Sequence, residues 1–332
     1  MRKIRVGVVG VGRLGQLHAR LYREVAQAEL VGVFDTNLQR AQTCATELGV
    51  RAFESIDELF DAVEAVNIVT PTSHHFSIAQ KAIGKGRHLF IEKPITVTVK
   101  EADELIQSCS QQRLVLQVGH IERFNPALLA LRGVEVAPMF IESHRLASFD
   151  PRGTDVAVVL DLMIHDLDVI LSLVKSPLAH IDASGVAVIS NEPDIANARL
   201  KFENSCVANV TASRISQKKM RKMRLFQRDA YISIDFLQGL SEVFKLVSAD
   251  APMDPSSPPL VLGKIDQGDK KRHIVYEKLQ APEGNALKME LESFLEAIAN
   301  GTPPPVTGED GRRALEVASA ITEMIKKTAP DV

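Results

Sequence analysis

The stretch IRVGVVGVGRLG, residues 4–15, decides the fold of the first part of this chain. Its run of small apolar residues predicts a buried strand, and the apolar spacing that follows predicts a helix. Between them lies a G-x-G-x-x-G pattern, whose first two glycines permit a tight turn and a close approach to a pyrophosphate. The last glycine lets the helix pack on the strand, and the helix N-terminus stabilises anionic phosphates. The pattern predicts a dinucleotide-binding loop with five candidate cofactor contacts: Gly10, Gly12, Arg13, Leu14 and Gly15.

Asp35 indicates which dinucleotide this loop binds. It ends the second predicted strand, LVGVFD at residues 30–35, at roughly the 20-residue distance after the glycines that such folds use. An acid there accepts a hydrogen bond from the ribose 2′-hydroxyl, and its charge repels a 2′-phosphate. We therefore expect NAD rather than NADP, although Arg40 lies nearby and would weaken the preference. The alternative interpretation is a glycine turn followed by a capping aspartate.

Strand and helix patterns alternate in the first part of the chain, and the strands are apolar throughout. This alternation is typical of α/β folds and predicts a Rossmann domain with a doubly wound parallel sheet over residues 1–122. Residues 123–332 are richer in β-type runs, with one helix predicted at 156–174 and two closing helices at 285–299 and 309–327. We expect a substrate-binding and oligomerisation domain of α+β type, built on a large, open, mainly antiparallel sheet. Its closing helices can pack back on the first domain.

Three stretches of the second part carry more specific expectations. Residues 222–236, KMRLFQRDAYISIDF, have the pattern of one long β-type run. Residues 249–271 are rich in Pro, Ser and Gly and predict a loop. The pair Glu203-Asn204 stands between two β-type runs and predicts a hairpin.

The composition excludes several classes of protein. Of 332 residues, 45% are hydrophobic and 24% charged, and the net charge is −3, so neither nucleic acid nor an anionic membrane is expected as a partner. No apolar run approaches the roughly 18 residues that a membrane span requires. The three cysteines are widely spaced and odd in number, which is typical of buried thiols in a reducing compartment. We expect a cytoplasmic protein.

The stretch LFIEKPITV, residues 89–97, places charged residues where a buried strand ends. Pro94 stops the sheet ladder, and Glu92 and Lys93 immediately precede it. Because the carboxyl ends of parallel strands are where open α/β folds bind ligands, Lys93 is a candidate functional residue. A surface turn that carries a salt pair is the alternative.

With these motifs in order, the chain resembles the Gfo/Idh/MocA family of NAD(P)-dependent sugar and cyclitol dehydrogenases. The resemblance is carried by TPTSHHFSIAQKAIGKGRHLFIEKP (70–94), DLMIHDLD (161–168) and ELESFLEAIANGTPPPVTGEDGRRALEVA (290–318). It implies an N-terminal dinucleotide domain and a C-terminal domain with a large open sheet. That sheet commonly mediates dimers or tetramers in the family, so a homodimer or homotetramer is expected.

The resemblance also implies roles for the charged triplet. In the family the lysine that matches Lys93 faces the nicotinamide and the reacting carbinol, where an ammonium stabilises the negative charge that develops on oxygen. Glu92 would orient Lys93 or contact the cofactor ribose. A cis peptide bond before Pro94 is expected in such a tight turn.

Asp161, His165 and Asp168 are spaced to lie on one face of a predicted helix. In the family's D-x-x-x-H pattern, His165 would be the general base that takes the hydroxyl proton, and Asp161 would orient it or bind a neighbouring hydroxyl. The alternatives are an ordinary His–Asp pair at the edge of the core, or a metal site. No metal is expected, since this hydride transfer needs none and no third ligand is suitably spaced.

Other candidates have weaker support. Thr70, Pro71 and His75 match the loop that runs under the nicotinamide ribose in the family, and a helix-capping turn is the alternative. Two further groups are candidate substrate contacts: Arg123 and Asn125 near the domain junction, and Arg214 and Lys219 around the basic stretch KKMRK, 218–222. A structural ion pair and a solvated strand face are the respective alternatives.

The substrate is indicated only by resemblance. VGHIERFNPAL, DLMIHDLD and ASRISQKKMRKMRLFQ resemble the subgroup that oxidises the 3-hydroxyl of UDP-N-acetylhexosamines, typified by UDP-N-acetylglucosamine. A dehydrogenase of a free sugar or inositol is the runner-up. A non-catalytic NAD-binding regulator is the third possibility.

Overall fold

A computed structural model describes residues 2–150, 156–250, 260–267 and 270–328. The chain forms two compact units, Met1–Phe124 with Gly284–Glu316 and Asn125–Glu283 with Val317–Val332. The elements of the first 124 residues are, in chain order, β1 Ile4–Val9, α1 Arg13–Tyr22, β2 Ala28–Phe34, α2 Leu38–Leu48, β3 Arg51–Ala52, α3 Ile56–Ala62, β4 Ala65–Ile68, α4 His75–Gly84, β5 His88–Glu92, α5 Val99–Gln111 and β6 Leu116–Gly119.

The first unit is built on a six-stranded parallel sheet in the order β3-β2-β1-β4-β5-β6. The strand order reverses between β1 and β4, which is the topological switch point where doubly wound sheets bind ligands. The central strands are apolar because both of their faces are covered, and Val6, Val66 and Leu89 have no exposed surface. The predicted parallel sheet is confirmed. The short elements β3 and α3 were not predicted, since two and seven residues give too little pattern.

The remaining elements follow in chain order: α6 Pro126–Leu129, β7 Phe140–Leu146, α7 Ile164–Leu173, β8 Leu178–Val186, β9 Ile195–Phe202, β10 Val207–Ser213, β11 Met220–Gln227, β12 Ala230–Asp235, β13 Leu240–Ser248, β14 Leu260–Gln267, β15 Lys270–Leu279, α8 Ala286–Asn300 and α9 Gly308–Thr328. The second unit carries a nine-stranded sheet in the order β14-β15-β13-β12-β11-β7-β10-β9-β8. β7 and β10 pair in parallel, whereas the other pairings are antiparallel. The predicted fold class and the hairpin at Glu203-Asn204, which joins β9 to β10, are confirmed.

Three expectations for the second unit were wrong in detail. Residues 222–236 form two strands rather than one, because the chain turns at Arg228-Asp229 without a glycine or proline to mark the turn. The helix predicted at 156–174 begins with a π-helical turn, Val159–Met163, before α7. The predicted loop at 249–271 contains β14, an edge strand that pairs with β15, while its residues 251–259 and 268–269 lie outside the described residues.

One face of the nine-stranded sheet is buried and the other carries a row of aromatic rings. Ile141, Leu225 and Val243 have no exposed surface. Along the opposite face, neighbouring rings lie with centroids 5.0 to 5.8 Å apart across five strands. We call this set the aromatic row, and its members are Phe140, Phe226, Tyr231, Phe244 and Tyr276.

Within the described residues, no helix has the length and apolarity needed to cross a membrane. The three cysteines are buried and unpaired, as expected. Burial raises the pKa of the Cys109 thiol to about 12 and that of the Cys206 thiol to about 11, so both stay protonated.

Candidate active site

The glycine loop at the end of β1 has the shape that a bound pyrophosphate requires. Gly10 has a φ of +86°, and a Cβ there would lie 2.6 Å from the carbonyl oxygen of Val69. A Cβ on Gly15 would lie 1.8 Å from the carbonyl oxygen of Gly10, so only glycine lets α1 start this close to β1. A Cβ on Gly12, by contrast, would meet no atom within 4 Å. The space beside Gly12 at the start of α1 is therefore open, and helix N-termini favour anions in such a place.

The other two loop candidates, Arg13 and Leu14, form the first turn of α1 and are exposed. No acidic side chain stands in that turn, and Gly12 supplies no side-chain cap. The positive end of the helix is therefore left for a ligand rather than neutralised by the protein.

Asp35 is fastened to the glycine loop. Its Oδ2 accepts a hydrogen bond of 2.9 Å from the Val11 amide, and its Oδ1 accepts one of 2.8 Å from the Asn37 amide. Arg40, which is half-exposed, places Nη1 3.3 Å from Oδ2. The carboxyl group is thus buried and oriented at the end of β2.

A cavity of about 550 Å³ joins these parts at the carboxyl ends of β1, β2 and β4. Five of the predicted cofactor contacts line it: Gly10, Gly12, Asp35, Thr70 and Pro71. The wall also contains His74, Ile78 and Lys81 from the region of α4, which the sequence analysis did not single out within the stretch 70–94. The cavity has an acid at one end, backbone amides beside it and apolar walls. These features fit the adenosine ribose and diphosphate of a dinucleotide.

His75 is buried and links two loops of the first unit. Its Nδ1 lies 2.9 Å from the carbonyl oxygen of Pro94, and its Nε2 lies 2.9 Å from that of Thr70. Burial lowers the pKa of His75, although both carbonyls oppose the shift. Both ring nitrogens of His75 are therefore occupied by backbone carbonyls of this unit.

The charged triplet after β5 has the predicted backbone, since the Lys93–Pro94 peptide bond is cis. Glu92 is buried, its Oε1 lies 3.1 Å from Nε2 of His18, and its Oε2 accepts a hydrogen bond of 3.2 Å from the Lys93 amide. Burial alone would raise the pKa of the Glu92 carboxyl, but His18 at 3.1 Å and the charge of Lys93 hold it below its usual value. The partner His18 was missed, because nothing local connects it with a residue 74 positions away.

The second unit carries Asp161 and His165, the two candidate acid–base residues. Asp161 lies in the π-helical turn and His165 in the first turn of α7, and both are half-buried. The π-helical turn contains an extra residue, so the α-helical spacing assumed for 161 and 165 does not hold through it. Such turns often occur at functional sites.

A buried ion pair anchors the helix that carries His165. Arg145 on β7 donates from Nε and Nη2 to the two carboxylate oxygens of Asp166, each at 2.9 Å. Both side chains are almost fully buried, so this bidentate pair fixes the rotation of α7. The sequence analysis predicted no role for either residue, because an arginine in a strand of alternating polar and apolar residues is expected to face solvent.

The candidate substrate contacts belong to both units. Arg123 lies 3.6 Å from Asp310 within the first unit. In the second unit Asn125 caps α6 through the Ala127 amide, and Arg214 is buried with Nε 3.8 Å from Asp194. Lys219 is exposed just before β11.

The basic stretch beyond Lys219 is partly neutralised on the sheet. Lys222 pairs with Asp235 at 3.1 Å, and Arg224 pairs with Glu142 at 2.5 Å. No group of three or more His, Cys, Asp or Glu side chains among the described residues could hold a metal ion.

Two family models match the chain. The model described as "Oxidoreductase family, NAD-binding Rossmann fold" covers residues 4–120, and the model described as "GFO/IDH/MocA C-terminal domain" covers residues 141–233. The chain is also 41% identical over 319 residues to UDP-N-acetylglucosamine 3-dehydrogenase of Acidithiobacillus ferrooxidans, which spans 96% of each chain. The chain belongs to the GFO/IDH/MocA oxidoreductase family.

A solved structure and a further relative extend the comparison. A solved structure of the A. ferrooxidans dehydrogenase superposes with a TM-score of 0.87 at 39% identity, over 98% of this chain and 99% of that one. The scyllo-inositol 2-dehydrogenase (NAD(+)) of Bacillus subtilis is 27% identical over 349 residues, covering 99% of this chain and 96% of the relative.

Membership of the GFO/IDH/MocA family confirms the predicted family, the oxidoreductase class and NAD as the cofactor. The family model for the NAD-binding fold spans all of the glycine loop, Asp35, the Thr70-Pro71 turn and the Glu92–Pro94 triplet. The cavity at the switch point therefore lies where this fold holds its dinucleotide.

Proposed function

We propose that this oxidoreductase oxidises the 3-hydroxyl of a UDP-N-acetylhexosamine to a ketone, with NAD⁺ as hydride acceptor. The observation that carries the proposal is 41% identity along 96% of both chains with a protein named UDP-N-acetylglucosamine 3-dehydrogenase. The inositol dehydrogenases of comparable coverage are only 24–27% identical.

Bound NAD⁺ would supply the chemistry of accepting a hydride from the carbinol carbon. The task of Lys93 is electrostatic, because its ammonium stabilises the negative charge that develops on the carbinol oxygen as the hydride leaves. Glu92, buried and ionised directly before it, fixes the Lys93 backbone and offsets part of its positive charge.

His165 takes the hydroxyl proton, and Asp161 orients His165 or binds a neighbouring hydroxyl of the sugar. The π-helical turn and the Arg145–Asp166 pair support this assignment, since they give the start of α7 a defined and rigid geometry. Arg123, Asn125, Arg214 and Lys219 are proposed as weaker contacts for the nucleotide-sugar, and Lys219 is the most exposed of the four.

The test is spectrophotometric. Purified protein is incubated with NAD⁺ and UDP-N-acetylglucosamine, and reduced nicotinamide is followed at neutral pH with a carbonyl-trapping reagent to pull the reaction. UDP-glucose, glucose and myo-inositol are run in parallel. We expect turnover with the UDP-amino sugar that falls by at least roughly 100-fold in Lys93→Met, because one preorganised charge contributes about that much. Lys85→Met, which removes an exposed lysine paired with Asp61, is the matched control.

Other outcomes of this assay would favour one of the two alternative functions. Turnover with myo-inositol or glucose but not with the UDP-sugars would favour the runner-up function, which the inositol dehydrogenase relatives support. NAD binding without turnover of any polyol would favour the non-catalytic regulator.

We also propose that the protein assembles as a homodimer or homotetramer through the nine-stranded sheet. The aromatic row supports this, since Phe226 is 37% exposed on a face whose other side is the core. Phe226→Lys should lower the mass measured by light scattering, whereas Glu29→Lys on the exposed surface of the first unit should not. An unchanged mass in Phe226→Lys would exclude this face.

A cytoplasmic location is proposed from the unpaired thiols of Cys44, Cys109 and Cys206. Cell fractionation tests it, and recovery of the protein outside the cytoplasm would contradict it.

A further inference from the structure

A chain of three buried polar side chains leads to Glu92 through the core of the first unit. The Tyr22 hydroxyl donates to Oδ1 of Asn67 at 2.5 Å, and Nδ2 of Asn67 lies 2.9 Å from Nδ1 of His18. Nε2 of His18 then lies 3.1 Å from Oε1 of Glu92. Tyr22, Asn67 and His18 have no exposed surface, and we call them the polar chain.

The surroundings of the polar chain are apolar. His18 and Tyr22 stand one turn apart on α1, and Asn67 lies within β4 beside fully buried neighbours. The ring of Phe90 meets the His18 ring edge-on at 5.6 Å, and Phe294 packs behind Phe90 at 5.8 Å. Well-packed hydrophobic residues stabilise such a position at least as well as polar ones, so stability alone does not account for the polar chain.

The hydrogen bonds of the polar chain have a single direction. The amide nitrogen of Asn67 can only donate, so Nδ1 of His18 must accept and Nε2 carries the ring proton. The protonated Nε2 therefore faces Oε1 of Glu92, 3.1 Å away. The hydroxyl of Tyr22 fixes the orientation of the Asn67 amide by donating to its oxygen.

We propose that Tyr22, Asn67 and His18 are positioning residues that act on Lys93 through Glu92. The polar chain holds one carboxylate oxygen of Glu92, which leaves the other to accept the Lys93 amide and sets a fixed negative charge beside the Lys93 ammonium. Without the His18 donor the buried carboxylate rotates or takes up a proton, and the Lys93 turn loses its anchor. This inference rests on the proposed function insofar as Lys93 is the group that contacts the substrate.

A pair of variants at His18 tests the effect on catalysis. His18→Leu removes the donor, and we expect kcat to fall by roughly 10- to 100-fold, the value of a hydrogen bond to a charged group, with KM and NAD affinity nearly unchanged. His18→Gln can place an amide N–H near the position of Nε2 and should restore most of kcat. Cys44→Ala, which creates a buried cavity elsewhere in the first unit, controls for a loss of stability. Wild-type kcat in His18→Leu, or equal losses in His18→Leu and His18→Gln, would overturn the proposal.

A second measurement needs no substrate. In protein labelled with ¹⁵N-histidine, the His18 ring is assigned as the signal that is missing in His18→Gln, and its Nε2 should show the shift of a protonated ring nitrogen. Asn67→Asp replaces the donor by an acceptor, so the ring proton should move to Nδ1 and kcat should fall. If this buried charge prevents folding, Asn67→Leu serves instead and should lower kcat. A proton on Nδ1 in the wild type would overturn the proposal. If His18 carries its proton on Nε2 but the protein turns over no sugar, the result would instead count against the proposed function.

Discussion

The amide of Val11 donates a hydrogen bond of 2.9 Å to Oδ2 of Asp35, so the acid at the end of β2 is tied directly to the glycine loop. The predicted cofactor-selecting residue and the predicted phosphate-binding loop are therefore joined directly. Arg40, 3.3 Å from the same oxygen, is neutralised only as long as Asp35 is present. A change at Asp35 alters both the loop and the local charge.

Asp35→Ala should weaken NAD binding and shift the ratio of NADP to NAD affinity by roughly tenfold or more, because it removes a charged hydrogen bond and releases Arg40 toward a 2′-phosphate. Calorimetric titration with both cofactors measures the two affinities. The double variant Asp35→Ala/Arg40→Ala should lose NAD affinity without the gain for NADP. An equal preference in the wild type and in Asp35→Ala would mean that Asp35 does not face the ribose.

Two glycine variants separate cofactor approach from folding. A methyl group on Gly12 projects into open space, so Gly12→Ala should keep the wild-type thermal midpoint and still weaken NAD binding about tenfold or more, by occupying the place of the phosphates. Gly15→Ala forces its methyl group against the Gly10 carbonyl and should lower the midpoint as well. Thermal melts with and without NAD distinguish the two. Wild-type NAD affinity in Gly12→Ala would place the cofactor elsewhere.

His165→Asn should lower kcat by roughly 100-fold or more, the usual contribution of a positioned general base, while NAD affinity stays unchanged. His180→Asn, which alters an exposed histidine of the same unit beside Asp182, should behave as the wild type. Steady-state kinetics with the best sugar substrate makes the comparison. A variant His165→Asn with full kcat would remove His165 from the mechanism.

Asp194 should make the protein sensitive to acid. The carboxylate has no exposed surface, and although burial alone would raise its pKa, bonds from the amides of Val188, Ile189 and Ser190 lower it to about 2. The unfolded chain has the ordinary value of about 3.9, so Asp194 contributes about 2 kcal/mol above pH 4, and that contribution is lost between pH 4 and pH 2.

At pH 7 we therefore expect Asp194→Asn to lower the free energy of unfolding by about 2 kcal/mol, and the difference from the wild type to shrink below pH 4. Urea unfolding at a series of pH values measures it. Asp182→Asn, at an exposed site, should change stability little at any pH. A difference that did not depend on pH would show that the charge is not responsible.

The sequence predicted those residues of the site whose role depends on their neighbours along the chain. Gly10 and Gly15 mark the loop because the backbone there has room only for glycine, and Lys93 stands out because a charge follows an apolar strand. His18 could not be found in this way, since its role exists only after α1, β4 and β5 are brought together. Arg145 likewise acquires its meaning only from Asp166 across the fold.

The errors in the second unit have the same origin. The turn at Arg228-Asp229 keeps the alternation of its flanking strands and so gave no break in the pattern. The π-helical turn at Val159–Met163 depends on a single extra residue, which hydrophobic periodicity does not detect. The hydrophobic pattern of the sequence predicted whether most segments are helices or strands. The register of the strands and the positions of the turns depend on tertiary contacts, which the pattern does not contain.

His75 faces a carbonyl oxygen with each ring nitrogen, and burial keeps its pKa below the ordinary value. A neutral imidazole has one N–H, so only one of the two oxygens can receive a hydrogen bond at any moment. The Thr70 loop and the Pro94 loop therefore compete for a single proton. In either tautomer the ring N–H therefore holds one of the two loops, while the carbonyl of the other faces an unprotonated nitrogen.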